Sequence, residues 1–166
     1  MSVTDHLFEI TTAWSSDRGT ADYRSYSRAH TASAEGPGEL AVSADRAFHG
    51  DAERWNPEQL LVSALSSCHM LSFLHQAVLE GVTVTGYTDR AVGRMALNPD
   101  HSGQFEEVVL RPEVTAAEPL EADVLERLHE RAHAVCFIAR SVSFPVRVES
   151  AGHGAAGADA AAEDRA

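Results

Sequence analysis

Two cysteines, each with a histidine close by in the chain, are the residues whose chemistry stands out. Cys68 is followed directly by His69, and His133 stands three residues before Cys136. The chain has neither a CxxC pair nor the spacing of a zinc finger. A free cysteine is usually a small buried hydrophobe, whereas a thiolate is both a nucleophile and a metal ligand. The spacing alone leaves packed thiols, a reactive thiol pair and a metal site as alternatives.

A metal site is the weakest of the three on geometric grounds. A tetrahedral zinc site would need four ligands from this set: Cys68, Cys136, His133 and His69. Neighbouring residues on a helix point about 100° apart, so Cys68 and His69 are poorly placed to share one ion. We therefore expect no metal, and we expect His69 to lie against the helix that carries Cys136. Three other histidines are expected to be surface or packing residues: His30, His75 and His129.

Composition and charge bound the class of protein. The chain has 166 residues, of which 44% are hydrophobic and 23% charged, as in ordinary globular proteins. The formal net charge of -12 repels phosphate backbones and anionic lipid, so we expect neither nucleic acid nor membrane as a partner. No apolar run reaches the ~18 residues of a spanning helix, and no secretory signal opens the chain, which favours a cytoplasmic protein.

The predicted elements run in the order strands, helix, strands, helix, strand. Asn56, Pro57 and Glu58 are typical of a helix start, and Gly81 of its end, around an almost wholly apolar stretch that predicts a buried central helix. The other predicted elements are strands at 7–14, 23–32, 40–43, 82–95, 106–115 and 144–148, and a second helix at 121–139. This order predicts an α+β domain over residues 1–150, with antiparallel sheets wrapped against helices and a disordered tail at 151–166.

Three segments of these helices resemble the OsmC/Ohr family of organic hydroperoxide reductases. They are the Asn-Pro-Glu start at 56–58, the Ser-Ser-Cys ending at Cys68, and the Ala-His-Ala-Val-Cys ending at Cys136. The resemblance extends over roughly residues 7–149. It implies an OsmC-like intertwined homodimer with two central helices, and active sites at the subunit interface. It also implies a cysteine-based antioxidant peroxidase, with a redox-active disulfide and without metal or prosthetic group, that reduces organic hydroperoxides and is restored by an external dithiol.

The resemblance assigns roles to four residues. Cys68 is the counterpart of the thiolate that attacks the peroxide, and Cys136 of the thiol that resolves the sulfenic acid. Glu58 is the counterpart of the acid that orients a catalytic arginine. Arg18, in the turn Asp17-Arg18-Gly19, is the expected arginine, although it has the position of an ordinary solvated turn residue. Two nearby arginines compete for the role: Arg24 and Arg28.

The positive charge of that arginine would stabilise a thiolate that burial disfavours. Burial on an apolar helix raises the pKa of a thiol, so the thiol is inert unless a fixed cation offsets the cost. Arginine stays charged at any working pH, and its planar fork can hold a thiolate and then the departing alkoxide. All 13 basic residues of this chain are arginine, so no lysine can do this work.

The match to the family departs from the Ohr branch in two places. His69 and Met70 follow Cys68 where that branch has apolar residues, and Phe137 follows Cys136 where it has proline. These differences favour an OsmC-like side branch distinct from Ohr. An apolar wall is needed to hold an alkyl group, and four large residues are candidates for it, or are ordinary core: Trp55, Met70, Phe73 and Phe137.

The spacing of Glu58 and Cys68 raises a geometric problem. On one straight helix, ten residues correspond to ~15 Å and a rotation of roughly 80°. Either the helix is broken early, or Glu58 and its arginine serve the thiols of the other subunit. A non-catalytic dimer that binds a small ligand, with its cysteines merely packed, is the alternative to the enzyme.

Overall fold

The structure is a computed structural model that describes residues 5–150, so the predicted tail at 151–166 lies outside the described residues. It confirms an α+β fold, and the chain divides into two compact units between Leu60 and Leu61. The strands are β1 (Thr11–Ala13), β2 (His30–Ala34), β3 (Gly38–Val42), β4 (Val84–Asp89), β5 (Val92–Leu97), β6 (Gly103–Leu110), β7 (Pro112–Ala116) and β8 (Val146–Val148). The helices are α1 (Pro57–Leu79) and α2 (Ala122–Val135), with short 3-10 turns at Arg46–Phe48 and Ala139–Ser141. Neither described helix has the length and apolarity needed to cross a bilayer.

The first unit is built on an antiparallel sheet in the order β1, β2, β3. The sequence predicts that the second strand begins at Tyr23, but β2 begins only at His30. The reason is local, because the Arg28 guanidinium donates hydrogen bonds to the carbonyl oxygens of Tyr23 and Tyr26. Those carbonyls are satisfied within a turn, so the segment around Arg28 folds back instead of joining the sheet.

The second unit holds two further sheets, which pair β4 with β7 and place β6 between β5 and β8. The two long strands predicted from the sequence are each split in two, at Arg90 and at Arg111, because their halves join different sheets. Asp89 accepts a hydrogen bond from the Arg111 backbone N–H at 2.6 Å, which fixes this corner. The β8 strand runs parallel to β6, a departure from the predicted antiparallel pairing.

Both ends of α1 follow from its sequence. Asn56 Oδ1 accepts from the Gln59 N–H at 2.7 Å, and Gln59 Oε1 accepts from the Asn56 N–H at 3.1 Å, which is a reciprocal capping box. At the other end, Gly81 adopts a φ of 71°, and the Val82 N–H reaches back to the Ala77 carbonyl. A left-handed residue of this kind ends a helix and favours glycine.

The α1 helix is less buried within this chain than its composition predicts. Its inward face carries Leu65, His69, Phe73 and Ala77. On the opposite face, Leu71, Val78 and Leu79 are 63%, 73% and 65% exposed. The prediction of a helix buried nearly all round is therefore wrong for the chain on its own.

The larger of two buried clusters in the second unit lies between α1, α2 and β7. It is formed by Phe73, Ala77, Val114, Ala116, Leu120, Leu125, Leu128 and Ala132. The α2 helix ends at Val135 rather than at the predicted Ala139, because Cys136 turns to an extended conformation, with φ -70° and ψ 109°. This leaves Cys136 inside the unit and the following turn beside it.

Candidate functional site

The two cysteines lie together in the second unit. Cys68 is near the middle of α1 and Cys136 is the first residue after α2, and both are free thiols. Cys68 is close enough to raise the pKa of Cys136, and the N–H of Ile138, two residues after Cys136, donates to Cys68 Sγ at 3.5 Å. The structure thus brings together two thiols that are 68 residues apart in the sequence.

The two thiols differ in their exposure. Cys136 is fully buried, whereas Cys68 is partly exposed. Burial raises the pKa of Cys136 to about 11, and Cys68 adds to the rise while the amides of Ala139 and Ile138 oppose it. Cys136 is therefore a protonated thiol at neutral pH. A buried, protonated thiol is a poor nucleophile, and Cys68 is the more accessible sulfur of the two.

Two polar side chains of β4 accompany the thiols. Asp89 accepts a hydrogen bond from Ser66 of α1 at 2.5 Å. The Tyr87 hydroxyl is buried and has no hydrogen-bond partner among residues 5–150, and burial, together with Asp89 and Cys136, raises its pKa. Neither residue is among those expected from the sequence. The signal that could have found them is a tyrosine and a carboxylate two residues apart, which places both side chains on one face of a strand.

A group of three histidines lies in the same unit. His69 Nε2 and His129 Nδ1 are 3.1 Å apart, so one ring donates a hydrogen bond to the other, and the His133 ring centroid is 6.5 Å from that of His69. This confirms the prediction that His69 packs against the second helix. Burial lowers the pKa of His69 to about 4, helped by His133, and that of His129 to about 4, helped by His69. Both rings are therefore neutral at pH 7.

Two of these histidines could have been found from the sequence, because His129 and His133 are four residues apart and so share one face of α2. The zinc site considered above would combine Cys68 and Cys136 with two of the three histidines. Within residues 5–150, no three His, Cys, Asp or Glu side chains are arranged to hold a metal ion.

The first unit contains a cavity of about 450 Å³ that includes Glu58. Its lining consists of Thr12, Trp14, Thr20, Tyr26, Arg28, His30, Ser43, Ala44, Asp45, Phe48, Pro57 and Glu58. Glu58 Oε2 is buried, and it has no hydrogen-bond partner in the described part of the chain. Arg28 lies with its guanidinium carbon 3.8 Å from the centre of the Tyr26 ring. A carboxylate and an arginine, surrounded by aromatic rings, thus share this cavity.

The other two candidate arginines have different surroundings. Arg18 is exposed in the turn after β1, where its backbone N–H contacts Ser16, and Arg24 is also exposed. Neither belongs to the lining of the cavity that holds Glu58. Of the three arginines, Arg28 is the one that shares a cavity with Glu58.

The four residues expected to form an apolar wall do not share one environment. Phe73 is fully buried in the core, with its ring centroid 4.4 Å from that of His129. Trp55 is 47% exposed and Phe137 is 78% exposed, while Met70 is partly buried. None of these four side chains belongs to the lining of the cavity beside Glu58.

The α1 helix is continuous from Pro57 to Leu79. The first solution to the spacing problem, an early break in the helix, is therefore wrong. Glu58 and Cys68 of one chain are separated along this helix by ~15 Å, from its rise per residue.

Comparison with known proteins adds the relatives of this chain. The family model described as OsmC-like protein matches residues 50–151. An OsmC-like protein of unknown function from Vibrio cholerae is 34% identical, with a TM-score of 0.80, and the match covers 89% of this chain and 100% of that one. No curated protein matches the sequence.

Two more distant structures share the fold. An organic hydroperoxide resistance protein from Elizabethkingia anophelis is 16% identical, with a TM-score of 0.68, covering 90% of this chain and 99% of that one. The organic hydroperoxide resistance protein OhrB of Bacillus subtilis is 15% identical, with a TM-score of 0.64, covering 88% and 98%. With a family model that spans most of the second unit and a 34% identical relative over nearly the whole fold, this chain belongs to the OsmC-like protein family.

Proposed function

We propose that this protein is a thiol peroxidase that reduces organic hydroperoxides to alcohols. The observation that carries the proposal is the proximity of a partly exposed thiol, Cys68, to a fully buried one, Cys136, since Cys68 Sγ accepts a hydrogen bond from the N–H of Ile138, two residues after Cys136. A pair of this kind suits a cycle in which the exposed sulfur is oxidised and the buried sulfur then closes a disulfide. The hydroperoxide resistance proteins that share the fold support the same chemistry.

The cycle has two chemical steps. The Cys68 thiolate attacks the outer peroxide oxygen, the O–O bond breaks, and the sulfur becomes a sulfenic acid while the alkoxide leaves and takes up a proton. Cys136 then attacks the Cys68 sulfur, which forms a disulfide and releases the hydroxyl as water. An external dithiol in the cytoplasm reduces the disulfide and restores both thiols.

Arg28 and Glu58 supply the fixed charge of the site. Arg28 is preferred to Arg18 and Arg24 because it lines the same cavity as Glu58. Its guanidinium offers several N–H donors in one plane, which suits the thiolate first and the developing alkoxide afterwards. The aromatic lining of this cavity, with Trp14 and Phe48, holds the alkyl part of the peroxide.

The active form is a homodimer. The exposed apolar face of α1, formed by Leu71, Val78 and Leu79, is left uncovered by residues 5–150 of the same chain. A second copy covers it, and Glu58 and Arg28 of one subunit then serve the thiols of the other. This arrangement resolves the separation of Glu58 and Cys68 along α1.

Two cysteine variants test the proposal. The assay follows consumption of an alkyl hydroperoxide in the presence of a dithiol. In Cys68→Ser turnover is lost, because the attacking sulfur is gone. In Cys136→Ser one equivalent of peroxide still oxidises Cys68, and the unresolved sulfenic acid is captured by dimedone.

The same pair of variants separates the enzyme from a ligand-binding dimer. Cys68→Ser forms no dimedone adduct and is the matched control for Cys136→Ser. Peroxide turnover that persists in Cys68→Ser would show that the cysteines are only packed. The alternative function, a non-catalytic dimer that binds a small ligand, would then replace the peroxidase.

A further inference from the structure

The backbone N–H of Ile138 has an unusual hydrogen-bond acceptor. It donates to Cys68 Sγ at 3.5 Å, and within residues 5–150 it has no oxygen acceptor. A neutral thiol is a weak acceptor, whereas peptide N–H groups inside proteins are usually paired with stronger ones. Hydrogen bonds to an ionised group are roughly twice as strong as those between neutral groups. This N–H therefore contributes most when Cys68 is a thiolate.

Backbone hydrogen bonds fix the turn that carries this N–H. The carbonyl oxygens of Cys136 and Ile138 accept from the N–H groups of Arg140 at 3.1 Å and Ser141 at 3.0 Å, respectively. The Phe137 carbonyl accepts from the Ser141 hydroxyl at 2.7 Å. Three successive carbonyl groups are thus satisfied within the turn. The direction of the Ile138 N–H is set by this backbone and not by the sulfur alone.

The Ile138 side chain anchors the same turn on α1. It packs against a buried cluster that includes Leu65, which is fully buried. Leu65 stands three residues before Cys68, so both residues lie on one face of α1. An apolar contact and a hydrogen bond therefore join the turn to this face. Because donor and sulfur are placed before any reagent arrives, no rearrangement is needed when the sulfur becomes charged.

The segment 136–138 brings two groups to Cys68. Cys136, at its start, is the second thiol, and Ile138, at its end, is the donor to Cys68 Sγ. In the proposed cycle, Cys136 acts after the peroxide oxygen has been transferred. A donor to the sulfur acts earlier, on the thiolate that attacks. One short segment thus serves both steps.

We propose that the Ile138 N–H is a catalytic hydrogen-bond donor that stabilises the Cys68 thiolate. Its catalytic role rests on the proposed peroxidase function and adds a second stabilising group to Arg28. The Cys68 thiol releases its proton to solvent, while the amide keeps its own proton and donates to the anion. The sulfur then gives two electrons to the outer peroxide oxygen, the O–O bond breaks, and the alkoxide takes a proton from solvent.

Replacing the Ile138 amide by an ester tests the donor. The α-hydroxy acid analogue of isoleucine at position 138 puts an oxygen in place of the N–H and keeps the side chain. The rate at which iodoacetamide alkylates Cys68, located by peptide mass spectrometry, is measured across a range of pH. On the rising part of this profile the ester protein is expected to react at least about fivefold more slowly, because the thiolate has lost a hydrogen bond.

The shape of the pH profile separates this role from packing. Loss of the donor shifts the midpoint to higher pH, and Cys68 still reacts fast once all of the sulfur is ionised. A change in packing or access lowers the rate by the same factor at every pH. An ester protein with an unshifted midpoint would overturn the proposal. The titratable and charged side chains on the surrounding elements are unchanged by the ester: His69 of α1, Tyr87 and Asp89 of β4, His133 of α2, and Cys136 and Arg140 after it.

An ester at Ser141 is the matched control. The α-hydroxy analogue of serine removes an N–H of the same turn that donates to the Ile138 carbonyl and not to a sulfur. It keeps the serine hydroxyl and weakens the turn without removing the donor to Cys68. Its alkylation profile is expected to keep the midpoint of the unmodified protein. Equal shifts in the two ester proteins would overturn the proposal, because the turn as a whole would then control the ionisation of Cys68.

Proton NMR of the unmodified protein tests the donor without any ester. The Ile138 amide proton is expected to move downfield as Cys68 ionises, with the midpoint of the alkylation profile, and Cys68→Ser is expected to abolish this response. An amide proton that does not respond to the ionisation would overturn the proposal. Neither measurement uses peroxide. Thiols that resist an alkyl hydroperoxide would therefore overturn only the peroxidase function, and normal turnover would not rescue a donor that fails both tests.

Discussion

At the scale of residues, side chains of the same type differ in chemistry because their surroundings differ. Cys68 and Cys136 have the same functional group, but only Cys136 is fully buried, with a pKa raised to about 11. Arg18 and Arg28 have the same charge, but only Arg28 shares a cavity with Glu58. Roles follow from these surroundings rather than from residue type.

The arginines provide the first residue-scale prediction. Arg28→Ala is expected to slow Cys68 oxidation by about a hundredfold, because loss of one preorganised donor commonly costs 10²–10³. Arg18→Ala is the matched control and is expected to stay within about twofold, as for an exposed charge outside the site. Stopped-flow measurement of thiol loss compares the two. A larger loss of rate in Arg18→Ala than in Arg28→Ala would assign the catalytic role to Arg18.

The buried histidines provide the second residue-scale prediction. The pKa of His69 is about 4 in the folded protein against 6.5 for an ordinary histidine, so the folded state binds fewer protons between these values. The unfolding free energy is therefore highest above pH 6.5, where His69 is neutral in both states, and it falls as the pH is lowered toward 4. For His69 alone the loss is about 3 kcal/mol of unfolding free energy.

Urea unfolding across this pH range measures the effect. His69→Gln is expected to show a smaller dependence on pH, because it has no imidazole to charge. His75→Gln, at an exposed position on the same helix, is the control and should keep the full dependence. Unchanged pH dependence in His69→Gln would mean that other groups drive the acid unfolding.

The residues of the candidate site could be named from the sequence only in part. Cys68, Cys136 and Glu58 stand in short motifs that resemble those of the OsmC/Ohr family, and their roles stay predictions. Arg28 could not be selected over Arg18, because its placement depends on a turn held by hydrogen bonds to backbone carbonyls. The partnership of His69 with His129 depends on how α1 packs on α2, which no local pattern encodes.

At the scale of elements, the ends of α1 are set by identifiable residues. Gly81 has a φ of 71°, which a residue with a Cβ adopts only at a cost. Gly81→Ala is therefore expected to lower the unfolding free energy by about 1 kcal/mol. Gly81→Asn, a residue that tolerates this conformation, should lose less. Chemical denaturation compares them, and equal stability of all three proteins would contradict the assignment.

The elements were predicted best where the signal is local. The capping residues and the apolar run locate α1 almost to the residue. The two long predicted strands failed at Arg90 and Arg111, because the switch of each half to a different sheet is a long-range choice of partner. The parallel pairing of β8 with β6 is likewise absent from any pattern within β8 itself.

At the scale of the whole molecule, the exposed face of α1 predicts self-association. A double substitution, Leu71→Asp with Val78→Asp, introduces charges on that face and is expected to weaken the dimer and the activity together. Leu97→Asp, at another exposed apolar position, is the control. Sedimentation analysis and activity at several protein concentrations measure both effects. A fully active monomer would separate catalysis from assembly.

The central claim is that Cys68 and Cys136 form a redox pair that consumes peroxide. Its most direct test is the intact mass and free-thiol count of the reduced protein, before and after one equivalent of an alkyl hydroperoxide. The expected result is rapid loss of both thiols and of two hydrogens in mass, which requires a disulfide between them. Survival of both thiols in excess peroxide would contradict the claim, because the two neighbouring cysteines would then be packing residues of an OsmC-like fold and nothing more.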